Sequence, residues 1–236
     1  MIKEVVRFPL NNSGSNLIVE GNLFIPDNPI GIVVFAHGSG SSKSSQRNQL
    51  VSKKLIENNI GSLLFDLLSE EEQESDRRLE KIIPSVPGAI LNKFNISLLT
   101  ERLSMATEWI VSHQQKRKLQ LGYFASSTGG AAALIAASKY QVKSIVIRSG
   151  RTDLVDSHFL SEIVSPCLFI AGSKEKVLIK INKQTMKNLR NVKEKKLSII
   201  QNASHLFDEE GSTEMLADIA SRWLKEHFSP LSDSVS

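Results

Sequence analysis

Ser127, His205 and a carboxylate lying between them in the chain are the residues that could carry out covalent chemistry together. Ser127 sits in Tyr123-Phe124-Ala125-Ser126-Ser127-Thr128-Gly129-Gly130. An apolar run (121–124) leads into this stretch and an alanine-rich run (131–137) leads out of it. The pattern predicts a buried strand, a sharp turn and a helix. A serine at the apex of such a turn exposes its Oγ beside the N–H groups of a helix N-terminus. Only small residues fit two positions before and after the apex. With Ser127 there they are Ala125 and Gly129; with Ser126 they would be Phe124 and Thr128, which are too bulky. The usual G-x-S-x-G pattern is met with Ala125 in place of the first glycine. The plainer alternative is a strand–helix turn in which Ser127 is only an N-cap.

A serine hydroxyl is a weak nucleophile at neutral pH and needs a base within hydrogen-bond reach. His205, in Asn202-Ala203-Ser204-His205 just after an apolar strand, is the candidate. Of the other four histidines, His37 belongs to a glycine loop that its ring would brace. His113 and His227 fall near helix ends, where a cation is favoured by the dipole alone. His158 lies in a connection. The carboxylate that would orient His205 is Glu175 or Asp153, each in a loop after a strand. The reacting carbonyl would also need preorganised N–H donors. Thr128, next after the nucleophile, offers one; Ser39, in His37-Gly38-Ser39-Gly40, offers the other.

These residues need a scaffold that delivers them to one edge. The chain has 236 residues, 41% of them hydrophobic, enough for the core of one α/β domain. The net charge of +4 is modest. The most basic stretch, 174–196, alternates with apolar residues and carries no interleaved aromatics, so it reads as a solvated helix face rather than a nucleic-acid site. The single cysteine, Cys167, lies in an apolar run and reads as a buried, inert thiol. No Cys/His cluster suggests a metal, and no signal-like or membrane-spanning run occurs. A soluble, cytoplasmic protein is expected, with no membrane or nucleic-acid partner.

Apolar runs and helical patterns alternate along the chain. Residues 3–9 and 16–25, split by Asn11-Asn12-Ser13-Gly14-Ser15, predict an antiparallel hairpin. Strands are then expected at 30–36, 61–67, 120–124, 142–147, 166–171 and 196–200, and helices at 45–57, 95–112, 131–137, 178–189 and 213–226. This rhythm predicts an α/β fold: a doubly wound, mostly parallel sheet with helices on both faces. Sites in such sheets form at the carboxyl ends of the strands, where Ser39, Ser127, Asp153, Glu175 and His205 all fall. One domain is expected over 1–228, with a loose tail at 229–236. Residues 68–93 break the rhythm: an acidic half expected to be solvated, then an apolar half with Pro84 and Pro87 that would fold over the site as a lid or form a mobile surface insert.

Taken together, Phe35-Ala36-His37-Gly38-Ser39-Gly40, Gly122-Tyr123-Phe124-Ala125-Ser126-Ser127-Thr128-Gly129 and Ala203-Ser204-His205-Leu206-Phe207 resemble the α/β-hydrolase fold, and within it the dienelactone hydrolase-like branch. The resemblance covers about residues 20–228. It implies serine-hydrolase chemistry and leaves the substrate open. It also implies an acid placed as Asp in Gly-x-x-Asp after the penultimate strand. Here Ala171-Gly172-Ser173-Lys174-Glu175-Lys176-Val177 puts Glu175 at that position, one methylene longer than Asp. A solvated Lys-Glu-Lys cluster, with Asp153 supplying the carboxylate, is one alternative, and the absence of any orienting acid is the other. Some relatives in this branch are described as phosphoribosyltransferase-associated, but no acidic, hydroxyl-rich phosphoribosyl-pyrophosphate loop occurs here. The expected activity is hydrolysis of a small carboxylic ester or lactone, with no cofactor. The competing expectation is a degenerate hydrolase fold that binds a ligand or partner.

Overall fold

The computed structural model describes residues 1–9, 18–83, 91–113 and 119–228. The expected turn at Asn11 to Ser15, residues 84–90 of the apolar half of the 68–93 segment, on which the expected lid rests, and the tail at 229–236 lie outside them.

Eight strands among the described residues form one sheet in the order β1-β2-β4-β3-β5-β6-β7-β8. They are β1 (Ile2–Pro9), β2 (Ile18–Ile25), β3 (Gly31–Ala36), β4 (Ile60–Phe65), β5 (Gln120–Ser126), β6 (Ser144–Arg148), β7 (Cys167–Gly172) and β8 (Lys195–Ile200). β1 pairs antiparallel with β2, and β2 with β4; every other pairing is parallel. The expected N-terminal antiparallel pair and the mostly parallel sheet are both present.

β3, β4 and β7 are buried along their whole length, and β5 in all but its first residue, because both faces are covered. Successive side chains alternate between faces. Ile32 and Val34 of β3 point into one core and Val33 and Phe35 into the other. The first core is closed by α3 (Ile96–His113), α4 (Thr128–Ala137) and α5 (Ser157–Glu162). The second is closed by α1 (Gln46–Glu57) and α7 (Ser212–His227), with Trp223, Leu224 and Phe228 packed on it. α4 is nearly all small residues and is buried almost throughout, which lets it lie close to the sheet. α6 (Lys176–Asn188) follows β7. No helix among the described residues is long and apolar enough to cross a membrane.

The 68–93 segment is not irregular throughout. Its acidic half forms α2 (Glu70–Ile82). Ser69 Oγ accepts the Glu72 N–H at 3.2 Å, and Glu72 Oε2 accepts the Ser69 N–H at 2.8 Å, a reciprocal cap. Three acidic residues in the first turn suit the positive helix end. The buried Asp76 carboxylate takes the backbone N–H groups of Asn92 and Lys93 at 2.8 and 2.9 Å. Arg102 Nη2, buried in α3, reaches Glu72 Oε1 at 3.0 Å. A hydrophobic-periodicity reading passes over this helix because it has so few apolar residues.

Candidate active site

β5 ends at Ser126, α4 begins at Thr128, and Ser127 makes the turn between them with φ 49° and ψ −124°. A positive φ on a non-glycine residue costs about 1–3 kcal/mol and persists only where its surroundings enforce it. Here the Ser127 N–H donates to the Arg148 carbonyl at 3.2 Å, and the Arg151 N–H donates to the Ser127 carbonyl at 3.0 Å. The neighbouring serine faces elsewhere: Ser126 is buried, and its Oγ accepts the Gly38 N–H at 3.1 Å.

The turn is as tight as the size argument requires. A Cβ on Gly129 would lie 2.2 Å from the Ala36 carbonyl oxygen and 2.5 Å from that of His37. Both obstacles are backbone, so they cannot swing aside. Gly129→Ala is therefore expected to destabilise the fold by about 3 kcal/mol, at the upper end of overpacking costs. Urea unfolding would check this, and a wild-type midpoint would show that the turn is looser than described.

The glycine loop after β3 faces this turn. The His37 ring is buried. Its Nε2 accepts the Leu67 N–H at 3.0 Å, so its Nδ1 carries the proton and donates to the Gly38 carbonyl at 3.0 Å. Burial lowers its pKa, opposed by the Gly38 contact and by Asp66, which leaves a neutral ring that braces the loop. The Ser39 N–H donates to Thr128 Oγ1 at 3.1 Å. The Thr128 N–H, in the first turn of α4, has no acceptor within its own helix. A cavity of about 620 Å³ opens on this side, with Gly38, Ser39, Arg47, Gln73, Arg77 and Thr128 among its walls. Ser127 and His205 are not part of that lining.

Glu175 is at the N-cap of α6, in a turn closed by its own N–H on the Gly172 carbonyl at 3.0 Å. Its side chain folds back over the turn, which takes up the extra methylene. Oε2 accepts the Gly172 N–H at 2.8 Å and the Ser149 hydroxyl at 2.6 Å. Oε1 lies 2.7 Å from His205 Nδ1. The Glu175 side chain is 5% exposed. Burial alone would raise its pKa; the hydrogen bonds from His205, Ser149 and Gly172 outweigh it and hold the carboxyl below its ordinary value. The lysine on its N-terminal side does not join it: Lys174 pairs with Glu209 at 3.0 Å. Glu209 also accepts the Ser204 N–H, the main reason its pKa falls to about 2.

An ionised carboxylate can only accept, so His205 Nδ1 donates and Nε2 is left for the open side. No hydrogen bond joins Ser127 Oγ to His205 Nε2; contacts of this kind often tighten only as the substrate binds. Asp153 is taken up by Arg151 through a two-pronged ion pair, 2.9 and 2.8 Å, and makes no contact with His205. His113 and His227 bond the carbonyls of Trp109 and Trp223 one turn back in their own helices. Cys167 is buried and its thiol is pushed up to about 12 by that burial. Among the described residues, no group of three or more His, Cys, Asp or Glu side chains converges as a metal site.

No family model matches the chain. A dienelactone hydrolase from Anabaena variabilis is 36% identical and superposes with a TM-score of 0.81, over 95% of this chain and 99% of that one. The chain belongs to the dienelactone hydrolase-like branch of the α/β hydrolases. An α/β serine hydrolase from Xanthomonas campestris, described as lacking a lid, shares the fold at 14% identity and a TM-score of 0.71. Two Mycobacterium tuberculosis proteins, each named "putative phosphoribosyl transferase", are 37% identical over 212 residues, 89% of this chain and 44% of theirs. The chain therefore spans about half the length of the curated relatives it matches. The structural neighbours support a hydrolase.

In this α/β hydrolase, two residues next to the site escape a motif-based reading. Ser149, with φ 47°, turns its hydroxyl onto Glu175. Arg148, at the end of β6, is buried and reaches the His205 carbonyl through Nη1 at 2.8 Å. One signal was available: an arginine closing the apolar run Ile145-Val146-Ile147 must have a reason to be there.

Proposed function

We propose that the chain is a serine hydrolase that cleaves a small carboxylic ester or lactone through an acyl-enzyme on Ser127. The observation that carries this is the contact between His205 Nδ1 and a buried, multiply hydrogen-bonded Glu175. It sits at the same sheet edge as a serine forced into a positive φ. In this reading His205 Nε2 takes the Ser127 proton as Oγ attacks the carbonyl carbon. The amides of Ser39 and Thr128 hold the oxyanion. Collapse expels the alcohol, which receives the proton from His205. Water, deprotonated by the same ring, then attacks the acyl group and frees Ser127. Glu175 keeps the imidazole in the Nδ1–H form and stabilises the imidazolium. The steps call for no cofactor, and residues 1–228 act as one hydrolase domain in the cytoplasm. The transferase name of the longer relatives is not carried over, because the chain spans only 44% of their length.

Labelling with a fluorophosphonate probe tests the proposal. Modification of the intact chain at Ser127, mapped by peptide mass, is the expected result. A chain that binds ligands without labelling would instead be a degenerate hydrolase fold. A panel of p-nitrophenyl esters and small lactones then narrows the substrate.

A further inference from the structure

Arg148 closes β6, between the strand that leads to Ser127 and the strand that leads to Glu175. It is 5% exposed. A guanidinium offers five N–H donors. Here Nη1 donates to the His205 carbonyl, while Nε is buried without a partner. Among the described residues no carboxylate lies within ion-pair distance of it. The guanidinium carbon stands 5.6 Å from the centre of the Phe207 ring. Charges act on it only from further away: Glu175 at the start of α6, Asp208 beyond β8, and Arg47 from α1, itself paired with Asp208 at 2.9 Å. Burial, followed by Arg47, brings its pKa down to about 10, so it is still a cation at neutral pH.

A buried charge satisfied this sparsely is a poor way to stabilise a fold. An apolar residue of similar volume is often as good or better. What Arg148 does supply is a span. Its carbonyl accepts the Ser127 N–H at 3.2 Å, and its side chain holds the His205 carbonyl at 2.8 Å. One residue thus pins the main chain at both reacting side chains. The loop that carries His205 needs such a fixture, because Asn202 and Phe207, on either side, both have positive φ (60° and 55°).

We propose that Arg148 is a positioning residue, which sets the His205 loop against the Ser127 turn and is retained for that alignment rather than for stability. The proposal rests on the reading of Ser127, His205 and Glu175 as the site. Its test uses the full chain with Arg148→Met and Arg148→Lys. Three measurements are made: thermal unfolding, the far-downfield proton signal of His205 Nδ1–H bonded to Glu175, and kcat and KM on an ester that the wild type turns over. Arg148→Met is expected to melt at or above the wild-type temperature, to lose or broaden the Nδ1–H signal, and to drop kcat about 10–100-fold with KM within about twofold, as for a small misplacement of reacting groups. Arg148→Lys, which can still donate to the carbonyl, should regain the signal and most of kcat. An Arg148→Met chain that keeps both the signal and the wild-type kcat overturns the proposal. So does one that fails to fold or melts far lower, because Arg148 would then serve stability. A wild type that does not hydrolyse esters removes the Ser127 reading alone; the Nδ1–H signal and the melting temperature still decide about Arg148.

Discussion

Ser127→Ala is expected to lower kcat on a p-nitrophenyl ester by about 10⁴–10⁶, the loss seen when a triad nucleophile is removed. No nearby group can take over. Ser126 is one residue away, but its hydroxyl is buried against the Gly38 N–H. The loss should come without instability, because Ser127 Oγ has no hydrogen-bond partner among the described residues and alanine meets the same strain at positive φ. Ser126→Ala makes the paired control. It gives up one neutral hydrogen bond, worth about 1 kcal/mol, and should keep kcat within about tenfold. Side-by-side initial rates decide the register. Wild-type turnover by Ser127→Ala would take this serine out of the chemistry.

Glu175→Gln carries the second large effect, a fall in kcat of about 10⁴. Glutamine presents an NH₂ to an imidazole nitrogen that now donates. The ring would answer by moving its proton to Nε2, where it can no longer accept from Ser127. Asp153→Asn, whose carboxylate is occupied by Arg151, should change kcat by less than about threefold, since exposed pairs contribute little. Equal small effects of the two changes would mean that neither carboxylate orients His205. Glu175 also sets a pH dependence. Its folded pKa lies below the ordinary 4.5. Its ionised form therefore contributes stability that is fully present above about 4.5 and is lost as pH falls through the lowered value. Urea midpoints should drop more steeply below that pH in the wild type than in Glu175→Gln.

The alternation of apolar runs and helical stretches made the parallel sheet legible, because strands buried on both faces need unbroken hydrophobic sequence. Ser127 was separable from Ser126 by bulk alone, and the clearance at Gly129 is that bulk expressed as distance. Glu175 could be counted to its position in the loop. Its burial could not be counted, since it depends on Ser149, 26 residues away on another strand. Arg148 and His205 are 57 residues apart, and nothing local marks that pairing. α2 was hidden for a different reason. Its order comes from caps and buried charges, at Ser69, Asp76 and Arg102, and not from an apolar stripe.

The contact between the Ser39 N–H and Thr128 Oγ1 bears on how binding energy is spent. Any substrate oxygen that takes this amide must displace a hydroxyl already bonded to it. A neutral ester carbonyl exchanges one neutral hydrogen bond for another and gains almost nothing. An alkoxide gains a charge-assisted bond, roughly twice as strong. If the Ser39 amide holds the oxyanion as proposed, the threonine hydroxyl is a competitor for it that the developing anion outcompetes. In the proposed reading, displacing that hydroxyl costs the ground state and the reacting state equally, so what separates them is the charge-assisted gain of the anion alone, the asymmetry on which rate acceleration depends.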